Sequence, residues 1–442
     1  MAEVDRISFL PEEIKISILS CLQVKDAIRT STLARSWRHV YTLLPSLRLG
    51  CFRDRDRLGD TSKDFDSCPV SSSWMQRVNH VVSSLQGPFL DFQLSLHADF
   101  IPSSLLQSLL DLLFQKGGVQ MLHLHCHYSF HSHKVIVRLP PFHSLKVLRL
   151  SGCQLILPKK FRGFHFHCLT TLSLYNVLIS NHHLQLLLDT SKNLTTLMFY
   201  ARDLDDLAPD ISLNISFLPF LTYAQFGINV MVDKICLVST PRLEEAHITV
   251  NSYVSEKLAR VTLGLLTGVS MVSSLHLDCG VLKALSLLAL PFSFSFPQLK
   301  CLMFFLNVAS MDQRTRDVLH WLLKSMPFLE ELDVKLLSFT KQTEGVATLM
   351  RELLVTKQNG VPCLDQTLKS VTIHLNLLKE VMTGISVVKF FLLNAKVLKL
   401  LKILYYDNEL SLVEELQKVE VASLDAKVVM FNTKTKVTVN VK

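Results

Sequence analysis

Leu145-Lys146-Val147-Leu148-Arg149-Leu150, Leu169-Thr170-Thr171-Leu172-Ser173-Leu174 and Leu194-Thr195-Thr196-Leu197-Met198-Phe199 are three copies of one pattern, with apolar residues at i, i+3 and i+5. Side chains of an extended strand alternate between two faces, so i+3 and i+5 point one way and i+2, i+4 and i+6 the other. Moving upstream, the pattern recurs as Val119/Leu122/Leu124 and Phe89/Phe92/Leu94. Moving downstream, it recurs as Leu221/Ala224/Phe226, Leu243/Ala246/Ile248, Val272/Leu275/Leu277, Leu299/Leu302/Phe304, Leu329/Leu332/Val334, Leu368/Val371/Ile373 and Leu398/Leu401/Ile403. Each strand is followed by a variable stretch that reads as helix or loop, such as 102–115, 181–190 and 314–325. One such unit buries too little to fold by itself, so stacking has to build the core.

Successive copies start 22 to 39 residues apart. That scatter lies around the roughly 20–29 residues of a leucine-rich repeat, whose strand signature is L-x-x-L-x-L. The expected fold class is α/β: an irregular leucine-rich-repeat solenoid with a parallel sheet, behind a short helical module. At 442 residues the chain is longer than one compact core accommodates, which favours a core that grows with length. The outward positions should form one middle column, His123, Arg149, Ser173, Met198, Gln225, His247, His276, Met303, Asp333, Thr372 and Lys402. A neighbouring column should read His125, Ser151, Tyr175, Tyr200, Gly227, Thr249, Asp278, Phe305, Lys335, His374 and Leu404. Aromatic, Met and Arg side chains are enriched in protein interfaces, so Arg149, Tyr175 and Tyr200 are the candidate target-binding residues.

Residues 5–49 read differently. Leu10-Pro11-Glu12-Glu13 puts proline and acids where a first helical turn accepts them. Ile14, Ile18, Cys21 and Leu22 then form a stripe at i, i+4, i+7 and i+8, opposite Glu13, Lys15, Ser17 and Ser20. A second helix is expected over about 25–34 and a third over about 36–44, ended by Pro45. Three helices this short cannot bury their apolar faces among themselves and call for a partner.

Asp5-Arg6-Ile7-Ser8-x-Leu10-Pro11-Glu12-Glu13-Ile14, Ile18-Leu19-Ser20 and Lys25-Asp26-Ala27-Ile28-Arg29-Thr30-Ser31-x-Leu33-Ala34-Arg35-x-Trp37-Arg38 resemble an F-box of the plant F-box/LRR type. The departures are Gln23 and Val24, where that family usually has proline and threonine, and Ser36, where it has a basic residue. The resemblance implies that Leu10, Pro11, Ile14, Ile18, Leu19, Leu22, Ile28, Leu33 and Trp37 contact a Skp-type adaptor and, through it, a cullin. It further implies that the repeats hold a target protein for ubiquitination. Leu368-Lys369-Ser370-Val371, Leu393-Asn394-Ala395-Lys396-Val397-Leu398 and the stretch 416–429 are similar to the FBD region that ends many such proteins. The implied division is 5–49 F-box, 50–73 charged and Ser-rich linker, 74–361 leucine-rich repeats, 362–431 FBD-like repeats and cap, and 432–442 tail.

Other classes find less support. The opening Met-Ala-Glu-Val-Asp has no basic and apolar run of a signal peptide, and the greasiest segments, 281–299 and 384–406, are broken by lysines and prolines. Ten scattered cysteines without a Cys-x-x-Cys pair read as reduced thiols, which fits the cytoplasm and/or nucleus. A net charge of +8 without dense basic runs does not indicate nucleic acid. There is no Gly-rich phosphate loop, Gly-x-Ser-x-Gly elbow or His-Glu-x-x-His helix, so a non-catalytic subunit without cofactor is expected. His123, His125 and His127 share a strand face near His131 and His133, with Cys126 on the other face; such a strand is a weak zinc signal, and no metal ligand is assigned. The alternative function is a repeat scaffold that sequesters a protein without ubiquitination; a small-molecule receptor has no ligand-specific constellation behind it.

Overall fold

The computed structural model describes residues 7–50, 72–87, 89–97, 102–127, 135–157, 166–201, 211–215, 217–229, 232–238, 240–250, 254–292, 294–307, 312–337, 361–375, 385–406, 416, 419, 421–435 and 438–440. Asp5, Arg6, His131, His133, most of the expected linker and part of the expected tail lie outside them. The chain forms two compact units, Met1–Pro209 with Phe217–Leu221, and Asp210–Ser216 with Thr222–Lys442.

The first unit begins with α1 (Glu12–Ser20) and α2 (Val24–Arg29). Pro11 is the N-cap of α1, and Glu12 and Glu13 occupy its first turn, where backbone N–H groups favour acids. The second helix ends earlier than expected because Thr30 and Thr32 turn their hydroxyls back onto the carbonyls of Ala27 and Arg29, at 2.7 and 2.8 Å. Such local bonds compete with helix continuation. In place of a third α-helix the chain makes two tight 3-10 turns, Arg35–Trp37 and Val40–Leu43. Leu19, Ala27, Trp37, Val40 and Leu44 close a small core, with Ile16, Ala34 and Tyr41 against it.

The chain then enters the sheet directly. β1 (Ser46–Leu49) pairs in parallel with β2 (Asp91–His97), so residues assigned to the helical module form the edge of the ladder. Gly50 follows at φ +100, where a Cβ would meet the Ser95 carbonyl oxygen at 2.0 Å, so only glycine fits. The helices α3 (Ser72–Ser84) and α4 (Ser103–Lys116) flank β2, and α4 buries Leu106, Leu109, Leu110 and Leu113 at helical spacing. Parallel pairing continues through β3 (Met121–His127), β5 (Val147–Ser151), β7 (Thr171–Tyr175) and β8 (Thr196–Tyr200). Short β4 (Ile136–Arg138) and β6 (Gln154–Ile156) pair beside this ladder, and α5 (Asn181–Thr190) starts on Ser180, whose hydroxyl accepts from the His183 N–H.

The second unit repeats the arrangement. Its ladder runs β10 (Tyr223–Ile228), β12 (Glu245–Val250), β13 (Ser274–Leu277), β14 (Cys301–Asn307), β15 (Glu331–Leu337), β16 (Ser370–His374), β17 (Leu400–Tyr405) and β18 (Lys427–Asn432), all parallel, and β19 (Thr438–Asn440) returns antiparallel. β9 (Ile211–Ile215) pairs with β11 (Val232–Leu237), and the connecting helices are α6 (Glu256–Gly268), α7 (Cys279–Leu285), α8 (Gln313–Lys324), α9 (Pro362–Gln366) and α10 (Ile385–Asn394).

The registers explain the spacing. The i+3 residue of each copy pairs with the i+3 residue of the next: Leu122 with Leu148, Leu148 with Leu172, and in the second unit Leu275 with Leu302, Leu302 with Leu332, and Leu332 with Val371. All these residues are buried. Fully burying one such side chain contributes about 1.5–3 kcal/mol, and every added strand extends the same row. Each of the twelve quoted copies contributes a strand to a parallel ladder, so the chain is an α/β leucine-rich-repeat protein behind a helical module.

Candidate functional site

Two kinds of surface are candidates for function, an apolar ridge on the helical module and the open faces of the two ladders. The apolar stripe of α1 is left uncovered. Ile14, Ile18 and Leu22 face solvent, with Ile14 47% exposed, while Lys15 and Leu19 face inward. Lys15 sits buried because its ammonium donates to the Ser8 carbonyl at 2.9 Å and lies 5.8 Å above the Trp37 ring. The methylene stem lies along apolar surface while the charge keeps a partner. Ile7, Phe9 (80% exposed) and Leu33 (76% exposed) are further exposed apolar side chains of the module.

Of the candidate adaptor-binding residues, Pro11, Ile14, Ile18, Leu22 and Leu33 are exposed, and Leu10 and Ile28 are half-buried. Leu19 and Trp37 are not on the surface: they are 1% and 6% exposed and close the module's own core. Three short helical pieces need a large side chain at their centre, and Trp37 fills that place. Lys15 likewise leaves the polar face on which the helical stripe had put it.

On the first ladder, Arg149 is exposed and registers between His123 and Ser173. Tyr175 and Tyr200 register side by side, with ring centroids 5.0 Å apart, so the three candidate target-binding residues share one face. Ser151, expected in the outward column, is buried. His125 and His127 meet edge to face at 4.1 Å, and the Ser95 hydroxyl lies 3.1 Å from His127 Nε2. Cys126 points to the other side, where burial pushes its thiol up to about 12.

On the second ladder, the pairing of β12 with β13 aligns His247 with His276, and their rings stack at 3.8 Å. Glu245 Oε1 is 2.6 Å from His247 Nε2 and 3.7 Å from His276 Nε2. Burial holds His247 below its ordinary value against the raising influence of Glu245, and burial followed by repulsion from His247 takes His276 down to about 4. The His276 ring is therefore neutral at pH 7. Further along, His374 Nε2 lies 3.0 Å from Asp333 Oδ1, at an angle outside hydrogen-bond geometry, and Lys335 covers the Phe305 ring at 4.9 Å. A cleft of about 230 Å³ lies among His276, Cys301, Met303, Glu331, Asp333 and Thr372.

Two expected column members behave otherwise. Gly227 is buried, and Asp278 has left the strand to cap α7. Its carboxylate accepts from Val281 N and from Val250 N, each at 3.1 Å. Burial, the largest influence, raises this carboxyl to about 6 although the backbone bonds pull it down. Strand and helix are separated here by one residue, so the outward position is consumed by the cap.

A helical module with an uncovered apolar ridge, set before leucine-rich repeats with a mixed polar and aromatic open face, defines a protein-interaction module. Residues 106–334 match the family model described as FBD-associated F-box protein At5g56370, LRR repeats, and residues 357–403 match the FBD model. The chain belongs to this family of plant F-box/LRR proteins with an FBD region. Among curated relatives from Arabidopsis thaliana, it is 31% identical over 178 residues to the F-box/FBD/LRR-repeat protein At1g13570, 42% identical over 71 residues to the F-box/LRR-repeat protein At5g02910, and 35% identical over 96 residues to the F-box/LRR-repeat protein At3g26922. These matches cover 40%, 16% and 22% of this chain and span 39%, 16% and 26% of the relatives' own length. Among the described residues no helix is long and apolar enough to cross a membrane.

Proposed function

We propose that this chain is the substrate-recognition subunit of a Skp-cullin-F-box ubiquitin ligase, working in the cytoplasm and/or nucleus. Its helical module would dock onto the Skp-type adaptor and so onto the cullin, and the open faces of the repeats would hold a target protein. The observation that carries this reading is the pairing of a closed core, Leu19, Ala27, Trp37, Val40 and Leu44, with an apolar ridge left outside it at Phe9, Ile14, Ile18, Leu22 and Leu33. Several large apolar side chains left exposed on so small a module suit an interaction site. The chain would contribute proximity, holding a target lysine near ubiquitin carried by another subunit, and effective concentration alone lowers a barrier by several kcal/mol.

Pull-down of a Skp-type adaptor by the full chain tests the reading. Leu10→Ala with Pro11→Ala should weaken capture by about 2 kcal/mol or more, as buried interface anchors do. Capture that survives this pair, and also survives Ile14→Asp with Leu33→Asp, would leave the repeats as a binding scaffold outside the ligase.

A further inference from the structure

The residues Glu245, His247 and His276 do not belong to the docking ridge, and they come from three different side-chain positions on two adjacent strands. We infer that Glu245, His247 and His276 form a binding site for a divalent transition ion of the zinc class, with Glu245 Oε1 and the two Nε2 atoms as ligands. Among the described residues this is the one group of three potential ligands that converges, and its ligand atoms all lie within 4.8 Å of one another. Two imidazoles and a carboxylate with a further position open to solvent is a set that zinc accepts.

The distances need small adjustment. Zinc bonds of about 2.0–2.2 Å in a tetrahedron hold ligand atoms roughly 3.3–3.5 Å apart. The 2.6 Å pair has to open and the 3.7 Å pair has to close slightly, with the stacked rings, now 15° from parallel, splaying toward the ion. All three side chains stand half-buried on the open face, so these rotations displace no core residue.

An oxygen already stands behind the site to take the proton that ion binding moves to the other ring nitrogen. His247 Nδ1 lies 3.2 Å from the Tyr223 hydroxyl oxygen, and that hydroxyl lies 3.1 Å from Gln225 Oε1. With the ion on Nε2, the ring's one proton, which Nε2 donates to Glu245 in the metal-free protein, moves to Nδ1 and is donated to Tyr223, whose own hydrogen goes to Gln225. A ligating histidine is typically held in this way by an oxygen on its other nitrogen. Of the other charged groups that act on these rings, Lys335 opposes a cation and Asp333 favours one. Lys335 has its ammonium over the Phe305 ring, and Asp333 lies beside His276 in the cleft.

The test uses the full chain, freed of metal by a chelator and titrated with zinc chloride by calorimetry, with metal content after dialysis measured by mass spectrometry. About one ion per chain should be retained through this site. Glu245→Gln and His276→Gln should each weaken zinc binding at least 30-fold, and Tyr223→Phe about 10-fold. The double change His123→Gln with His127→Gln should leave affinity unchanged. Thermal melting monitored by circular dichroism shows that each variant is folded, and Tyr223→Phe, which removes one oxygen, keeps the test open if a ligand variant unfolds. Retention far below one ion, or affinity unmoved by Glu245→Gln, His276→Gln and Tyr223→Phe, overturns the inference, as does loss of the ion through the β3 histidines instead.

Discussion

The helical module and the repeat ladders use the same residue types to opposite ends. In the ladders, Leu122, Leu148 and Leu172 are sealed by the strand before and the strand after. In the module, Ile14, Ile18 and Leu33 have no next repeat to lie against and remain outside. An apolar side chain is buried by what stacks on it, so a small module at the head of a ladder keeps apolar surface exposed, whereas an interior strand has none to spare.

The largest expected effect separates the two regions by stability. Phe226→Ala, in the sealed row of the second unit, should destabilise the fold by about 3–5 kcal/mol in urea unfolding, because both the transfer energy and a cavity are lost. Leu33→Asp on the ridge should change stability by no more than about 0.5 kcal/mol. A comparable loss from both would mean that the ridge is internal packing.

Next in size is the cap between β13 and α7. The folded state binds a proton at Asp278 more tightly than the unfolded chain does, about 6 against the ordinary 3.8, so stability should fall as pH rises from about 4 to about 6. The shift sets a ceiling of about 3 kcal/mol on that loss. Asp278→Asn keeps an acceptor for Val281 N and should flatten this part of the pH profile; a profile identical to the parent's would refute the assignment.

Gly280→Ala, two residues on, should destabilise by about 1–3 kcal/mol, since a Cβ there would stand 2.1 Å from the Val250 carbonyl oxygen. Denaturant midpoints measure it, and an unchanged midpoint would show that β12 can yield. The smallest effect concerns thiols. Exposed Cys21 and Cys168 should react with iodoacetamide in the native protein at pH 8, and buried Cys126 and Cys363, both pushed up to about 12, should react only after unfolding. Peptide mass spectrometry distinguishes the two pairs.

Much of this was legible along the chain because the repeat writes its register into spacing. Leu145, Leu148 and Leu150 mark a strand, and the next copy marks its neighbour. Leu44, Leu47 and Leu49 carry the same spacing, yet they sit beside a helical pattern ended by Pro45, and the strand β1 was hidden under that signal. The site on the second ladder was half legible. His247 and His276 fall in one expected column, but Glu245 belongs to the position before it, and the ligand set emerges only when adjacent columns are read together.

The sequence alone determined the strands of the twelve copies, their buried rows and the family resemblance, because each depends on local alternation and on motifs short enough to survive irregular intervals. Tertiary structure decided that Lys15 and Leu19 turn inward, where Trp37 goes, that Asp278 caps a helix, and that Glu245 meets His276. The reason is that facing and convergence depend on what packs next to a segment: residues 29 positions apart in the chain become lateral neighbours only once β12 and β13 are in register.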